Sequence, residues 1–105
     1  MVVQIKTLEE FKEKLAEAGD KLVVVDFYAT WCGPCKVISP KFEEFSNEFT
    51  DVIFYKVDVD EGETIATEYE IESMPTFIFF KNQKKIDSMI GASIEKLKTL
   101  LNKHH

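Results

Sequence analysis

The spacing of apolar residues along the chain predicts alternating strands and helices. Residues 22–28 are almost continuously apolar and rich in valine, which is typical of a central strand that is covered on both faces. Further strands are predicted at residues 2–5, 52–58, 76–80 and 85–90. Between them, apolar residues recur every three or four positions, which indicates helices. The predicted order of elements is β-α-β-α-β-α-β-β-α.

Capping residues mark the ends of two predicted helices. Thr7 is expected to be the N-cap of the first helix, with Glu10 as its capping-box partner. Gly19 is a suitable C-terminal stop for the same helix. Ser93 is expected to cap the last helix.

The second predicted helix contains a proline. It begins near residues 33–34, and its apolar positions continue past Pro40 to Phe49, which favours one kinked helix. The alternative is a break at Ser39 that gives two helices, because the residue before a proline resists the α-helical conformation.

The connections between strands determine the fold class. Strands linked by a helix are expected to be parallel, whereas the last two strands are joined by a tight turn near Asn82 and Gln83 and form an antiparallel hairpin. We therefore predict an α/β fold in which a central mixed β-sheet is flanked by helices on both faces. At 105 residues the chain is expected to be a single domain, residues 1–105.

Composition and charge exclude several classes of partner. The formal net charge is −6, and lysines are interleaved with glutamates, so neither nucleic acid nor an anionic membrane is an expected partner. No apolar run approaches the roughly 18–20 residues needed to span a membrane. Residues 1–6 do not resemble a signal peptide, and a cytoplasmic, reducing compartment is expected. His104 and His105 are compatible with a tag remnant, so no functional role is expected for them.

The only two cysteines, Cys32 and Cys35, form a C-x-x-C motif between a predicted strand and a predicted helix. This is the expected position of a thiol–disulfide redox site. Unpaired N–H groups at the helix N-terminus would stabilise a Cys32 thiolate, the nucleophilic form. Pro34 presets the first turn, and Gly33 is expected to let the chain turn close beside the sulfur. We expect Cys32 to be the exposed attacking sulfur and Cys35, one turn along the same face, to be the buried resolving sulfur.

Two other interpretations of the cysteine pair stay open. The first is half of a zinc site shared between chains, although this chain offers no further cysteine and only two terminal histidines. The second is a pair of ordinary buried cysteines.

Asp26 is the other unusual residue, because it lies inside the apolar strand that precedes the motif. Burial disfavours the charged carboxylate, so the pKa of Asp26 should be raised. Such a carboxyl beneath a dithiol can exchange protons with the resolving sulfur, directly or through water. The alternative is a structural carboxylate that is paired with a lysine such as Lys56.

At these residues the chain resembles the thioredoxin family, and the resemblance extends over nearly its whole length. The matching segments are DFYATWCGPCK at residues 26–36, Pro40, VDVD at residues 57–60, MPTF at residues 74–77 and GA at residues 91–92. The animal cytosolic branch is the most similar. The resemblance implies the thioredoxin fold and the activity of a protein-disulfide reductase.

The resemblance also implies a role for each matching residue. Cys32 attacks a substrate disulfide, and Cys35 resolves the mixed disulfide, which leaves a Cys32–Cys35 disulfide. Asp26 assists Cys35, and Gly33 and Pro34 set the redox potential. Pro75 is expected to follow a cis peptide bond and to face the disulfide. The implied substrate-binding residues are Thr30, Trp31, Met74, Pro75, Ile90, Gly91 and Ala92. An apolar contact patch is completed by Val59, Ala66, Ile71 and Ile90.

The resemblance further implies the source of electrons and the partners. No cofactor or metal is expected to bind the chain, and electrons are expected to come from NADPH through thioredoxin reductase. The expected substrates are proteins that contain disulfides, for example peroxiredoxins and ribonucleotide reductase.

Some positions depart from the family pattern. The family usually has glycine at the positions of Gln83, in the last hairpin turn, and Asp87, in the strand that follows. Bacterial members place a lysine near the buried aspartate, and Phe54 is assigned here to that position. Mammalian members often carry further regulatory cysteines. Gly62, Tyr69 and Ser73 occupy the corresponding positions, so dimerisation through such thiols is excluded and a monomer is expected.

Two functions other than disulfide reduction are also compatible with these residues. One is an oxidase or isomerase of the same fold, which the Gly33–Pro34 pair and the absence of a leader disfavour. The other is a binding module that holds a partner on a patch of Trp31, Met74 and Ile90, with the redox state as a switch.

Overall fold

A computed structural model describes residues 1–105, and its elements follow the predicted order. The strands are β1 (Val2–Gln4), β2 (Val23–Tyr28), β3 (Ile53–Asp58), β4 (Thr76–Lys81) and β5 (Lys84–Ile90). The helices are α1 (Leu8–Ala18), α2 (Gly33–Glu48), α3 (Glu63–Glu68) and α4 (Ile94–His104). No helix is long and apolar enough to cross a membrane.

The strands form one mixed sheet in the order β1-β3-β2-β4-β5. β3 pairs in parallel with both β1 and β2, whereas β4 is antiparallel to β2 and to β5. The predicted α/β architecture with a mixed central sheet is therefore confirmed. Because β2 lies in the middle of the sheet, the residues at its carboxyl end are supported on both sides.

The two faces of the sheet are covered by different helices. One core cluster joins the sheet to α2 and α4 through residues such as Phe42 and Leu97. The other joins it to α1 and α3 through residues such as Phe11 and Ile65. Side chains alternate along β2, so Val24 faces the α2 side and Val25 the α1 side. The same alternation puts Asp26 on the side of α2, the helix that carries the cysteines.

The predicted helix caps are largely confirmed. The Thr7 hydroxyl accepts the N–H of Glu10 at 3.1 Å, and the Ser93 hydroxyl accepts the N–H of Lys96 at 3.1 Å. Glu10 accepts a hydrogen bond from the N–H of Lys6 at 3.3 Å, one residue before the cap. The prediction that Glu10 completes a capping box with Thr7 itself is therefore wrong. Gly19 ends α1 with φ of 61°, a conformation that favours glycine.

The α2 helix is continuous across Pro40, so the alternative break at Ser39 is wrong. Pro40 is on the exposed side of the helix, whereas Ile38, Phe42 and Phe45 are buried against the sheet. We infer that burial of this apolar face outweighs the one backbone hydrogen bond that the proline removes.

The last hairpin turns through Asn82 and Gln83, both of which have left-handed backbone angles, φ of 53° and 66°. Two such residues between antiparallel strands are typical of a type I′ turn, which favours asparagine and glycine. Gln83 therefore adopts the conformation that makes glycine common at this position of the family. Asp87, the other departure from glycine, contacts His104, with 2.8 Å between Oδ2 and Nε2.

The two C-terminal histidines contact the folded chain. The His104 ring lies 6.0 Å from the ring of Phe79, and the His105 ring lies 5.1 Å from the ring of Phe49. His105 Nδ1 also lies 2.9 Å from Asp51 Oδ2. Whatever their origin, these histidines are in contact with side chains of the core.

Candidate redox-active site

The cysteine pair lies where the chain passes from β2 to α2. Cys32 is the N-cap of α2, and its Sγ accepts the N–H of Cys35 at 3.2 Å. The two sulfurs form a disulfide, with 5.3 Å between the Cα atoms. Pro34 lies in the first turn, where no amide donor is needed. A Cys32 thiolate at this place would be stabilised by the free N–H groups of the helix terminus.

Gly33 does not have the steric role that the sequence indicated. Its φ is not in the left-handed region, and a Cβ added to it would meet no atom within 4 Å. The chain turns beside the sulfur without needing the small size of glycine or its conformational freedom, because the helix N-terminus leaves this position exposed.

The two cysteines differ less in exposure than expected. Cys32 is 6% exposed and Cys35 is 3% exposed, so the prediction of an exposed attacking sulfur is wrong for this disulfide-bonded form. They differ in their surroundings. Cys32 Sγ lies 3.7 Å from the carbonyl oxygen of Met74, at the rim of the site. Cys35 lines a cavity on the other side, together with Asp26.

Asp26 is buried beneath the disulfide, with 3% of its surface exposed. Burial raises its pKa to about 7, from an ordinary value of 3.8, against the smaller opposing effect of the positive charge on Lys56. Its Oδ1 has no hydrogen-bond partner. Asp26 and Cys35 line the same cavity of about 350 Å³, which is large enough to hold water. A carboxyl with this pKa can take up or release a proton near neutral pH.

Lys56, and not Phe54, is the residue that lies beside Asp26. The two residues are in register on neighbouring strands, whereas Phe54 is in register with Val24. Phe54 packs edge-on against Phe42 in the core, with ring centroids 5.2 Å apart. The assignment of Phe54 to the family's lysine position was therefore wrong by two residues, a shift that keeps the sheet face and changes the neighbour.

Lys56 does not form the structural ion pair that was the alternative role for Asp26. Asp26 takes part in none of the ion pairs of the chain, so no nitrogen–oxygen contact within 4 Å joins it to Lys56. Asp26 is therefore a buried carboxyl with a nearby cation but no direct partner.

A cis peptide bond between Met74 and Pro75 faces the disulfide, as the resemblance implied. The N–H of Gly91 donates to the carbonyl of Pro75 at 2.9 Å, which joins the end of β5 to this loop. Pro75 itself is buried. Ile90 is 69% exposed and pairs with Thr76, so it lies on the β5 side of the loop.

A groove of about 480 Å³ lies between α3 and two residues that neighbour Cys32, Trp31 and Met74. Trp31, 67% exposed, forms one wall, and its Nε1 donates to Asp60 Oδ2 at 3.0 Å. The apolar residues of the groove are Trp31, Val59, Ala66, Ile71 and Met74.

The structure brings only part of the predicted substrate-binding set into this groove. Trp31 and Met74 line it, whereas Thr30 lines the Asp26 cavity instead. Gly91 and Ala92 are half-buried near β5, and Ala92 packs against the α2 side of the core. The predicted residues are therefore divided between the groove, the Asp26 cavity and the β5 side of the site.

Several residues at the site were not found from the sequence. The carboxylates that line the groove are Asp60, Glu63, Glu70 and Glu72. Tyr28 lines the Asp26 cavity with Lys56. The alternation of side chains in β2 could have placed Tyr28 on the same face as Asp26, but no local pattern places α3 beside Trp31. No group of three or more histidine, cysteine or acidic side chains is arranged to hold a metal ion.

Comparison with known proteins assigns the chain to a family. The thioredoxin family profile matches residues 2–103. Rabbit (Oryctolagus cuniculus) thioredoxin is 53% identical over 97% of both chains, in agreement with the predicted animal type. The crystal structure of Fasciola hepatica thioredoxin superposes with a TM-score of 0.97 and 41% identity over the full length of both chains.

A second solved structure is similar over nearly the whole length of the chain. It comes from work on the thiol resolving mechanism of yeast mitochondrial 1-Cys peroxiredoxin through glutathione and thioredoxin systems. It covers 97% of this chain and 94% of its own, with 36% identity and a TM-score of 0.91. With a C-x-x-C disulfide at the start of α2 and a match over nearly its whole length, the chain belongs to the thioredoxin family of thiol–disulfide oxidoreductases, which reduce protein disulfides.

Proposed function

We propose that Cys32 is the attacking sulfur in the reduction of protein disulfides. The observation that carries this assignment is the position of Cys32 Sγ at the N-terminus of α2, where it accepts the N–H of Cys35 at 3.2 Å. In the reduced protein, the Cys32 thiolate attacks one sulfur of the substrate disulfide. That bond breaks, a Cys32–substrate disulfide forms, and the other substrate sulfur leaves as a thiolate that takes a proton.

Cys35 then resolves the mixed disulfide with help from Asp26. The Asp26 carboxylate accepts the proton of the Cys35 thiol, directly or through water in the cavity that both residues line. The Cys35 thiolate attacks Cys32 Sγ, the bond between Cys32 and the substrate breaks, and the second substrate sulfur leaves as a thiolate that takes a proton from solvent, while Asp26 returns its proton to solvent. The substrate has gained two electrons and two protons, and the Cys32–Cys35 disulfide has formed. A pKa of about 7 for Asp26 suits this step, since the carboxylate is then present at neutral pH and still able to hold a proton.

The residues around the disulfide tune its redox potential and select the substrate. Gly33 and Pro34, between the cysteines, set the redox potential. Extended substrate segments lie across the cis-peptide loop and contact the rim of the site. That rim comprises Thr30, Trp31, Met74, Pro75, Ile90, Gly91 and Ala92, with the apolar residues Val59, Ala66 and Ile71 beside it. Pro75 is buried, so its contribution is to shape the loop.

The partners follow from the family. NADPH supplies electrons through thioredoxin reductase, and the substrates include peroxiredoxins and ribonucleotide reductase. The peroxiredoxin work among the structural matches supports the first of these substrates. A single domain over residues 1–105 acts as a monomer in the cytoplasm, with no bound cofactor of its own.

Trapping the mixed disulfide tests these roles. Cys35→Ser should form a stable covalent adduct with a disulfide-containing peptide, visible by intact mass as one peptide half attached to Cys32. Cys32→Ser is the matched control and should form no adduct, because Cys35 lies within the first turn of α2 and faces the Asp26 cavity, whereas Cys32 Sγ faces the Met74 carbonyl at the rim. An adduct of equal yield on Cys35 in the control would refute the assignment of attacker and resolver.

A further inference from the structure

The buried carboxyl of Asp26 has a cation within reach but no direct partner. Lys56 is in register with Asp26 on the neighbouring strand, and both side chains line the same cavity. They are nevertheless not within ion-pair distance, and Asp26 Oδ1 makes no hydrogen bond. A flexible lysine beside a buried carboxylate would normally gain energy by contacting it. Something therefore keeps the Lys56 ammonium away from Asp26.

Tyr28 provides an alternative place for that ammonium. Lys56 Nζ lies over the Tyr28 ring, 5.9 Å from its centroid, a cation–π distance. The ring is held from both ends. Tyr28 is the last residue of β2, so the sheet holds its backbone. The Tyr28 hydroxyl, at the other end of the ring, accepts a hydrogen bond from Gln4 Nε2 in β1 at 3.0 Å. The ring is thus a fixed surface that lines the cavity, two residues along the strand from Asp26.

We propose that Tyr28 is a positioning residue that holds the Lys56 ammonium over its ring and so keeps it from pairing with Asp26. Asp26 then remains a carboxyl without an ionic partner, and it can be protonated and deprotonated during turnover. A direct ion pair would instead fix it as a carboxylate, because an opposite charge in contact favours the charged form. The placement of Lys56 over the Tyr28 ring does not depend on the proposed function. Only its consequence for proton transfer from Cys35 to Asp26 rests on that function.

The other groups around Asp26 do not offer the same control. The titratable or charged side chains that line its two cavities are Tyr28, Cys35, Lys36, Glu43 and Lys56. On the β4 side, Asp26 is in register with Phe77, which is apolar. Burial raises the pKa of Asp26, and the positive charge of Lys56 already offsets part of that rise. Lys56 is therefore the cation whose position decides how much further that pKa falls.

The test is the titration of Asp26 in the oxidised protein, followed by the NMR signal of its carboxyl carbon. Tyr28→Leu should lower the midpoint by about 1 pH unit or more, since Lys56 is then free to contact the carboxylate. Tyr28→Phe is the matched control, because it loses the hydroxyl contact with Gln4 but keeps the ring on the end of β2, and it should leave the midpoint close to that of the unmodified protein. Tyr28→Met replaces the leucine variant if that variant does not fold.

The same substitution in a Lys56→Met protein distinguishes two causes of a lower Asp26 midpoint, contact with Lys56 and entry of water. In Lys56→Met protein, Tyr28→Leu should change the Asp26 midpoint much less than it does in the parent chain. An equal fall in both backgrounds would mean that the ring only excludes water, and it would overturn the proposal. An unchanged or raised midpoint in Tyr28→Leu would overturn it as well. Because the titration uses no substrate, failure here is distinct from failure of the trapping experiment.

Discussion

Replacing Asp26 by asparagine should stabilise the protein increasingly as the pH rises. The carboxyl has a pKa of about 7 in the folded protein and an ordinary value of 3.8 when unfolded. A raised carboxyl pKa means that the folded state binds the proton more tightly than the unfolded state does. Its cost is absent below the lower value, grows between the two values and is complete above the higher one.

The size of this effect follows from the two pKa values. Each pH unit between them corresponds to 1.36 kcal/mol, so the full cost of ionising Asp26 in the folded protein is about 4 kcal/mol. Asparagine is neutral at every pH and carries none of this cost. Between pH 5 and pH 9 the advantage of Asp26→Asn should therefore grow by roughly 3 kcal/mol. A constant penalty from burying an amide without a partner shifts both ends equally.

Urea unfolding of the oxidised protein at several pH values measures this difference. Asp20→Asn is the matched control, because Asp20 is an exposed carboxyl and its replacement should give no comparable trend. A difference between Asp26→Asn and the parent chain that stays the same from pH 5 to pH 9 would refute the reasoning. So would a difference that grows as the pH falls, since that is the behaviour of a carboxylate stabilised by an ion pair.

Two further predictions concern the hairpin and the C-terminus. Gln83→Gly should raise the free energy of unfolding by roughly 0.5–1 kcal/mol, because glycine adopts the left-handed turn without strain. Lys84→Gly, in the adjoining strand, is the control and should lower the free energy of unfolding. A fall for both variants in urea unfolding would contradict the turn assignment. His104→Ala should return the pKa of Asp87, which the hydrogen bond from His104 holds below its ordinary value, towards that value. A carboxyl with a lowered pKa contributes stability that is lost as the pH falls through that pKa, so this contribution should disappear in the variant; an NMR titration of Asp87 that is unchanged would show that the contact does not persist in solution.

The main features of the fold and of the redox centre were predictable from the sequence because they depend on local patterns. The apolar run around Asp26 fixed a central strand, and the C-x-x-C motif lies directly after it. The continuation of apolar positions past Pro40 correctly favoured one helix. Each of these inferences needs only neighbouring residues along the chain.

The errors about Phe54 and Cys32 arose because the answer depends on residues that are distant in sequence. Phe54 was assigned to the place beside Asp26 because strand register is set by the whole sheet, and Lys56 occupies that place. The exposure of Cys32 was overestimated, since it belongs to a small buried cluster against which Met74 packs from a later loop. The contacts of His104 with Asp87 and Phe79 likewise depend on where α4 crosses the sheet.

The reduction potential of the Cys32–Cys35 pair tests the central claim most directly. The protein would be equilibrated with graded mixtures of reduced and oxidised dithiothreitol, and the fraction of free thiols would be read by alkylation and intact mass. A disulfide reductase of this family should give a strongly reducing value near −270 mV, about that of thioredoxin. A value between about −180 and −120 mV, the range of an isomerase or an oxidant, would contradict the account and would make the same residues a disulfide donor.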